Sequence, residues 1–422
     1  MTAVRALFGP TGKLLRAETT VALTAAPEGA WPWGNAHHFG DHTYVGFTNN
    51  AGGVSLAIVP DADPDSVTIS DLEADGFWSP ADQHNAPALW QRSDGRLLAI
   101  HVGHQSTHVY QRVTVNTLGA DPLIAGGWAA RTDLDSQLGG NTYTYPDLHP
   151  FGAAGGVLLF LRNDNAGTSY WSIATSSDDG ASWSALTTLF SGVRAYGRSH
   201  RSSSTRLDVL AINGSYAEDF ADLFHFYVES GSPFKTDGTA IGGGFPVAFA
   251  NMTQVYDGAS AGVRAPADIK KVGDDLAAVW FVQTGTPSGH IGEDEDYLYG
   301  RSNAGGAWAV STVAADIGAL TFEFTEGGLV IDPLNLARLL VSRREVSDLG
   351  SPFRMFDVKS PDDGATWPAG IPISVDDGEA AMYPAMVRGA PDPAAVRGVW
   401  LQGPTYTSQN DFSTGIRATG RR

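Results

Sequence analysis

The chain has no cysteine among its 422 residues, which excludes disulfides and thiolate metal sites and leaves the redox compartment open. Positive charge is scarce: 27 Lys and Arg stand against 46 Asp and Glu, a formal net charge of −19. That balance argues against a phosphate-neutralising surface, so no nucleic-acid partner is expected. A polyanionic substrate would need a local basic pocket working against the overall field. Long apolar runs are also missing. None approaches the roughly 20 residues needed to span a bilayer, so no membrane partner is expected either. The first ten residues, Met1 to Pro10, lack a signal-peptide core before their Gly-Pro break. On that reading the chain stays inside the cell, belongs to a phage particle, or has lost a leader.

What the chain does have is glycine (50), proline (23) and aromatics (10 %), a profile for many short strands and turns. Two segments share one pattern: Ser176-Ser177-Asp178-Asp179-Gly180-Ala181-Ser182-Trp183 and Ser360-Pro361-Asp362-Asp363-Gly364-Ala365-Thr366-Trp367. This is the Asp-box, a turn in which Asp caps its own backbone, Gly takes positive φ and Trp packs between strands. Such turns speak for a fold and not for chemistry. The boxes lie 184 residues apart, three periods of about 61, and a worn copy runs from Ser302 to Trp308.

Strand-like phrases recur at Tyr170 to Ser176, Tyr297 to Ser302, Phe353 to Ser360, Val54 to Val59, Val109 to Val115, Leu223 to Ser230 and Gly415 to Thr419. Seven units of about 60 residues account for the chain, the period of a propeller blade. The expected fold is therefore all-β: a seven-bladed β-propeller, a single domain over residues 1–422. The segment Leu14 to Leu23 is expected to add a strand to the last blade and close the ring. Six blades plus a separate N-terminal piece is the nearest alternative.

Nine of the eleven histidines fall between His37 and His200, so polar chemistry is concentrated in the first half. The stretch from Asp82 to His104 reads as two short strands around an Asp94-Gly95 turn with a histidine near each outer end. A hairpin brings its ends together, so His84 and His104 should meet, as a reactive pair or as structural residues. Asn85 sits in the same phrase. The next unit offers Tyr143, Tyr145 and His149, then Arg162 at the end of the apolar run Val157 to Leu161. A buried guanidinium is costly unless it meets an anion, either a substrate or a local carboxylate such as Asp164. Tyr196, Arg198 and His200 follow. Arg and His can offset a carboxylate while Tyr moves a proton, which is what β-elimination at a uronic acid needs.

The phrase Asp82-Gln83-His84-Asn85-Ala86-Pro87-Ala88-Leu89, the Asp-Gly-Arg turn and Gly103-His104 resemble the BNR-repeat polysaccharide lyases, notably the ulvan lyases. So do Thr144-Tyr145-Pro146, Arg194-Ala195-Tyr196, Phe224 to Tyr227 and Gly403 to Thr407. The resemblance implies that His84 and His104 are active-site histidines. It makes Tyr145 the base and acid, with Tyr143 a competitor, and Arg162 the group that offsets the uronate charge. Tyr196 supports it, and Asn85, Tyr143, Arg198 and His200 join Tyr196 as substrate-binding candidates. The implied activity is a lyase cutting a 4-linked uronic acid in an acidic, ulvan-like rhamnose–glucuronate or iduronate polysaccharide, by a secreted monomer. The chemistry needs no cofactor. The resemblance does imply a structural calcium or zinc ion, for which no ligand spacing stands out here. Gln83, where Asp is common, departs from the pattern, as does the basic run Arg198 to Arg201.

Two other classes compete. One is a rhamnosidase-like glycoside hydrolase on the same fold, which would release reducing ends. The other is a non-catalytic carbohydrate-binding propeller, for instance on a phage tail, using aromatic loops such as Trp31-Pro32-Trp33 and Gly76-Phe77-Trp78.

Overall fold

All seven strand-like phrases become the third strand of a repeated four-stranded antiparallel unit. The structure, a computed structural model, describes residues 18–22, 28–29, 35–49, 51–78, 82–118, 127–153, 155–214, 221–259, 261–284, 294–303, 306–315, 317, 328–344, 352–391, 396–408 and 411–421. These form seven sheets arranged as the blades of a β-propeller. Blade three is representative. Thr142–Pro150, Val157–Asn165, Thr168–Ser176 and Thr187–Val193 pair in that order; the continuous apolar run Val157 to Leu161 is buried on both faces, and the outermost strand is the least buried. The first strand of every blade packs beside the first strands of its neighbours, so these strands line the ring axis.

Within the segment expected to close the ring, Glu18–Ala22 pairs antiparallel with Asp411–Arg421, the third strand of blade seven. The two chain ends thus complete one sheet. Residues 14–17 and 23 lie outside the described residues, as does Trp31-Pro32-Trp33.

The two Ser-x-Asp-x-Gly-x-(Ser/Thr)-Trp segments form the same turn. The Asp178 carboxylate accepts from the Ser182 N–H (2.9 Å) and hydroxyl (2.7 Å), and Asp362 does the same with Thr366 (2.8 and 2.7 Å). Gly180 and Gly364 take φ of +81° and +94°. A Cβ on Gly364 would also lie 2.4 Å from the Tyr299 ring, so this position needs glycine twice over. Each Trp ties its turn to the preceding blade: Trp183 Nε1 donates to Gln111 (3.0 Å) and Trp367 Nε1 to Ser311 (3.0 Å).

Between blades the core is apolar and aromatic. In blade three Trp171, fully buried, stacks against Phe160 and Phe190 and donates its indole N–H to the Ala195 carbonyl (2.8 Å). Tyr145 packs on that stack, its ring nearly parallel to Trp171.

Candidate active site

Five residues far apart in the chain meet at one end of blades two, three and four. The hairpin of blade two, Ala88–Gln91 with Leu97–Val102, turns at Gly95 with φ +79°. The residues just before it and just after it are thereby brought together. His84 and His104 stack with ring centroids 4.3 Å apart.

Both rings are held by one carboxylate. Asp82 caps the short 3-10 turn Gln83–Asn85, accepting from the His84 N–H at 2.9 Å. Its Oδ1 meets His84 Nδ1, and its Oδ2 meets His104 Nδ1 at 2.9 Å. Burial works to raise the Asp82 pKa, but the two imidazoles outweigh it and hold the group well below the usual carboxylate range. An ionised Asp82 can only accept, so each Nδ1 carries a proton toward it. Burial lowers the His84 pKa to about 4, against the opposing pull of Asp82, so His84 is neutral at neutral pH. Asp82 stood in the phrase read from the sequence without being singled out as a site residue. The Asp-x-His spacing before a turn was the available signal.

Tyr145 completes the apposition, its ring 5.3 Å from that of His84 and 6.5 Å from that of His104. It sits at a bulge in the first strand of blade three, where the register slips between Thr144 and Asp147 and Tyr145 takes φ +60°. Pro146 has no N–H to place in the ladder, so the bulge falls there. A left-handed tyrosine costs of order 1–2 kcal/mol, met here by packing against Trp171 (6.0 Å, nearly parallel). Blade seven repeats the device at Tyr383-Pro384, with φ +54° and the same slip, so the bulge belongs to the blade and the site makes use of it.

Arg162 lies over both tyrosines, 4.8 Å from the Tyr145 ring and 5.3 Å from that of Tyr196. The two hydroxyls are 3.5 Å apart. Arg162 also pairs with Asp164 at 3.0 Å, the local carboxylate expected from the sequence. Burial opposes its charge, but Tyr145, Tyr196 and Asp164 hold it protonated. Burial pushes the Tyr145 hydroxyl well above its ordinary pKa, and Arg162 only moderates that shift. Tyr145 is therefore a neutral phenol, a proton donor.

The remaining candidates go elsewhere. Tyr143 does not join the cluster: the bulge turns Tyr145 away from it, and Tyr143 packs with Leu134 and Leu138 while its hydroxyl accepts the Gly140 N–H at 2.8 Å. Asn85 is buried, and its side-chain oxygen accepts the His104 N–H at 2.8 Å, so it positions a histidine. Arg198 and His200 line the cavity on the ring axis, though Arg198 remains within electrostatic reach of Tyr145. Phe77 and Trp78 are not presented to a ligand as a pair. They pack on His101 and Tyr110, with Arg131 over the Phe77 ring at 4.5 Å.

Two groups of three side chains have the composition of metal ligands among the described residues: Asp82 with His84 and His104, and His108 with Asp133 and Asp135. In both, the ligand atoms are turned on one another as hydrogen-bond partners, His108 Nδ1 meeting Asp135 at 2.6 Å. Calcium prefers an all-oxygen shell, which neither offers. These two groups therefore do not fit a structural calcium ion.

A seven-bladed propeller with paired histidines, tyrosines and an arginine at one end of its blades is the class that this fold and cluster define. Residues 42–316 match the model of the BNR repeat-containing family, and the chain belongs to that family. No curated protein matches significantly. Among solved structures, a PL25 ulvan lyase is 13 % identical with a TM-score of 0.71, covering 95 % of both chains. The same kind of enzyme bound to -[GlcA(1-4)Rha3S]- is 13 % identical at TM-score 0.69, covering 95 % of this chain and 96 % of that one. The polysaccharide lyase Uly1 is 11 % identical at TM-score 0.64, covering 96 % and 100 %. At these identities the likeness concerns the fold.

Proposed function

We propose that the protein is a polysaccharide lyase that cleaves a 4-linked uronic acid in an acidic polysaccharide by β-elimination, with ulvan-type rhamnose–uronate chains as the first substrate to test. The observation that carries this reading is the meeting of a neutral imidazole, a protonated phenol and a guanidinium within one cluster. The similar ulvan lyase bound to a glucuronate–rhamnose oligomer supports the substrate class.

In this mechanism Arg162 pairs with the uronate carboxylate and offsets its charge, which acidifies the C5 proton. His84 Nε2 takes that proton. The electron pair forms the C4–C5 double bond as the C4–O4 bond breaks, and O4 takes the Tyr145 proton. His84 and Tyr145 are then left as imidazolium and phenolate, and proton return between the two restores both. Tyr145 is the acid here rather than both base and acid, because burial keeps it protonated while it leaves His84 deprotonated. Hydrolysis fits less well. It needs two carboxyl groups flanking the bond, one of them free to activate water. Asp82 is committed to two imidazoles and Asp164 to Arg162.

The direct test is incubation with ulvan and other uronic-acid polymers, following the ultraviolet absorbance of the unsaturated uronate. A rise establishes elimination; new reducing ends without absorbance point to a hydrolase; binding with neither points to a non-catalytic propeller. Two further outcomes are expected. The acid limb of kcat/KM should lie near pH 4 rather than 6.5, because His84 must gain a proton to lose activity and its pKa is depressed. A limb at the ordinary histidine value would remove His84 as the base. Asp82→Asn should slow turnover by about one to two orders of magnitude, with little change in KM, through lost control of the histidine tautomers. Unchanged turnover in that variant would show that the carboxylate is only a turn cap.

A further inference from the structure

The cavity on the ring axis is a second concentration of buried charge, and elimination makes no use of it. Its volume is about 370 Å³, and residues of the first strands of all seven blades line it. Four cationic residues line it, Arg198, Arg201, Lys270 and Arg388, against two carboxylates, Asp147 and Asp268. Those carboxylates are already engaged. Arg388 holds Asp147 through two bonds of 2.6 and 2.7 Å. Lys270 holds Asp268, whose other oxygen accepts the Ile331 N–H at 3.0 Å.

Cations therefore outnumber anions two to one in a protein whose net charge is −19. Burial lowers the pKa of Arg198 to about 10 and depresses Lys270 as well, while Asp268 pulls both the other way. Burial also keeps His200 neutral, with a pKa of about 3, so its ring adds an N–H donor without adding charge. Arg198 and His200 alternate along Gly197–Arg201, which puts both on the side less buried than Gly197, Ser199 and Arg201.

We propose that this cavity binds a small tetrahedral oxyanion of the sulfate or phosphate type, through Arg198, Lys270 and His200. Such an ion offsets the excess of cations over carboxylates in the lining. Fork-shaped guanidinium donors suit its geometry. The volume admits the ion together with several waters. A free ion and the sulfate ester of a sugar share this chemistry.

The test is calorimetric titration and thermal melting of the full chain with sodium sulfate and, separately, glucose 6-sulfate, against sodium chloride at matched ionic strength. Saturable one-to-one binding of sulfate is expected, with a melting temperature that rises as the site fills. Arg198→Gln should weaken it by about tenfold or more, the weight of a lost charge-assisted bond. Should that variant not fold, Arg198→Lys, which keeps the charge, should still show a smaller weakening. His84→Ala should bind sulfate as the unmodified protein does, so the result does not depend on the lyase reading. Binding of the sugar ester as well would extend the site to sulfated saccharides, and its failure beside sulfate binding would restrict it to the free ion. The proposal is overturned by heats and melting shifts no larger than those in chloride, by binding that neither Arg198 variant changes, or by binding that His84→Ala abolishes.

Discussion

Tyr145→Phe is expected to lower the rate of elimination by about 10³-fold while leaving the fold intact, the loss typical of a removed general acid. The substitution keeps the ring that stacks on Trp171 and under Arg162, and removes only the hydroxyl 3.5 Å from that of Tyr196. His84→Ala should cost a similar amount. The double variant should be little worse than either single one, because acid and base serve one proton transfer cycle. Initial rates of ultraviolet absorbance measure the loss, and near-ultraviolet circular dichroism checks the aromatic core. Tyr143→Phe is the control. It should stay within about twofold in rate and lose only the bond to the Gly140 N–H, worth about 1 kcal/mol. If Tyr143→Phe were the inactive variant and Tyr145→Phe the active one, the proposed acid would be the wrong tyrosine.

The second large effect concerns stability. Arg388→Met should destabilise the protein by about 3–5 kcal/mol, the cost of stranding one partner of a buried ion pair. Asp147 and Arg388 join blade three to blade seven across 241 residues of sequence, and Leu148 adds a carbonyl to the same guanidinium at 3.1 Å. The two ends of the pair are not equivalent. The Asp147 side chain is 5 % exposed and that of Arg388 30 %, so removing the arginine strands the more buried charge. Asp147→Asn should therefore cost less. Urea midpoints of the two variants decide the order, and equal midpoints would show that stranding either charge costs the same. The pair also sets a pH window. Burial alone would raise Asp147, but Arg388 and His149 hold it well below its ordinary value. A carboxylate depressed by folding stabilises above its unfolded value, about pH 4, and that stability is lost as pH falls toward its folded value. In Arg388→Met this acid-side loss should be much smaller.

Much of the architecture is legible without coordinates because it rests on local chemistry repeated at a regular interval. The turns at Gly180 and Gly364 need an Asp and a Gly at one spacing, and a blade needs four short strands per period. His84 and His104 were paired for a similar reason: a tight Asp-Gly hairpin determines which residues its ends bring together. Arg162 stood out because a guanidinium closing an apolar run demands a partner.

The other parts of the site depend on contacts that no local pattern encodes. Whether Tyr143 or Tyr145 faces the histidines turns on a one-residue register slip, and a slip of one residue exchanges the two faces of a strand. Asp82 becomes the common partner of two imidazoles only when the hairpin has closed on the turn before it. Arg198 and His200 lie on the ring axis and not at the histidines, because blade four presents its first strand there. The sequence by itself determined the blade count, the turns and the histidine pair, all of which follow from short-range geometry. Only the tertiary structure decided which tyrosine meets that pair, which carboxylate orients it and which charges meet across the channel, since each depends on how separate blades stand against one another in the closed ring.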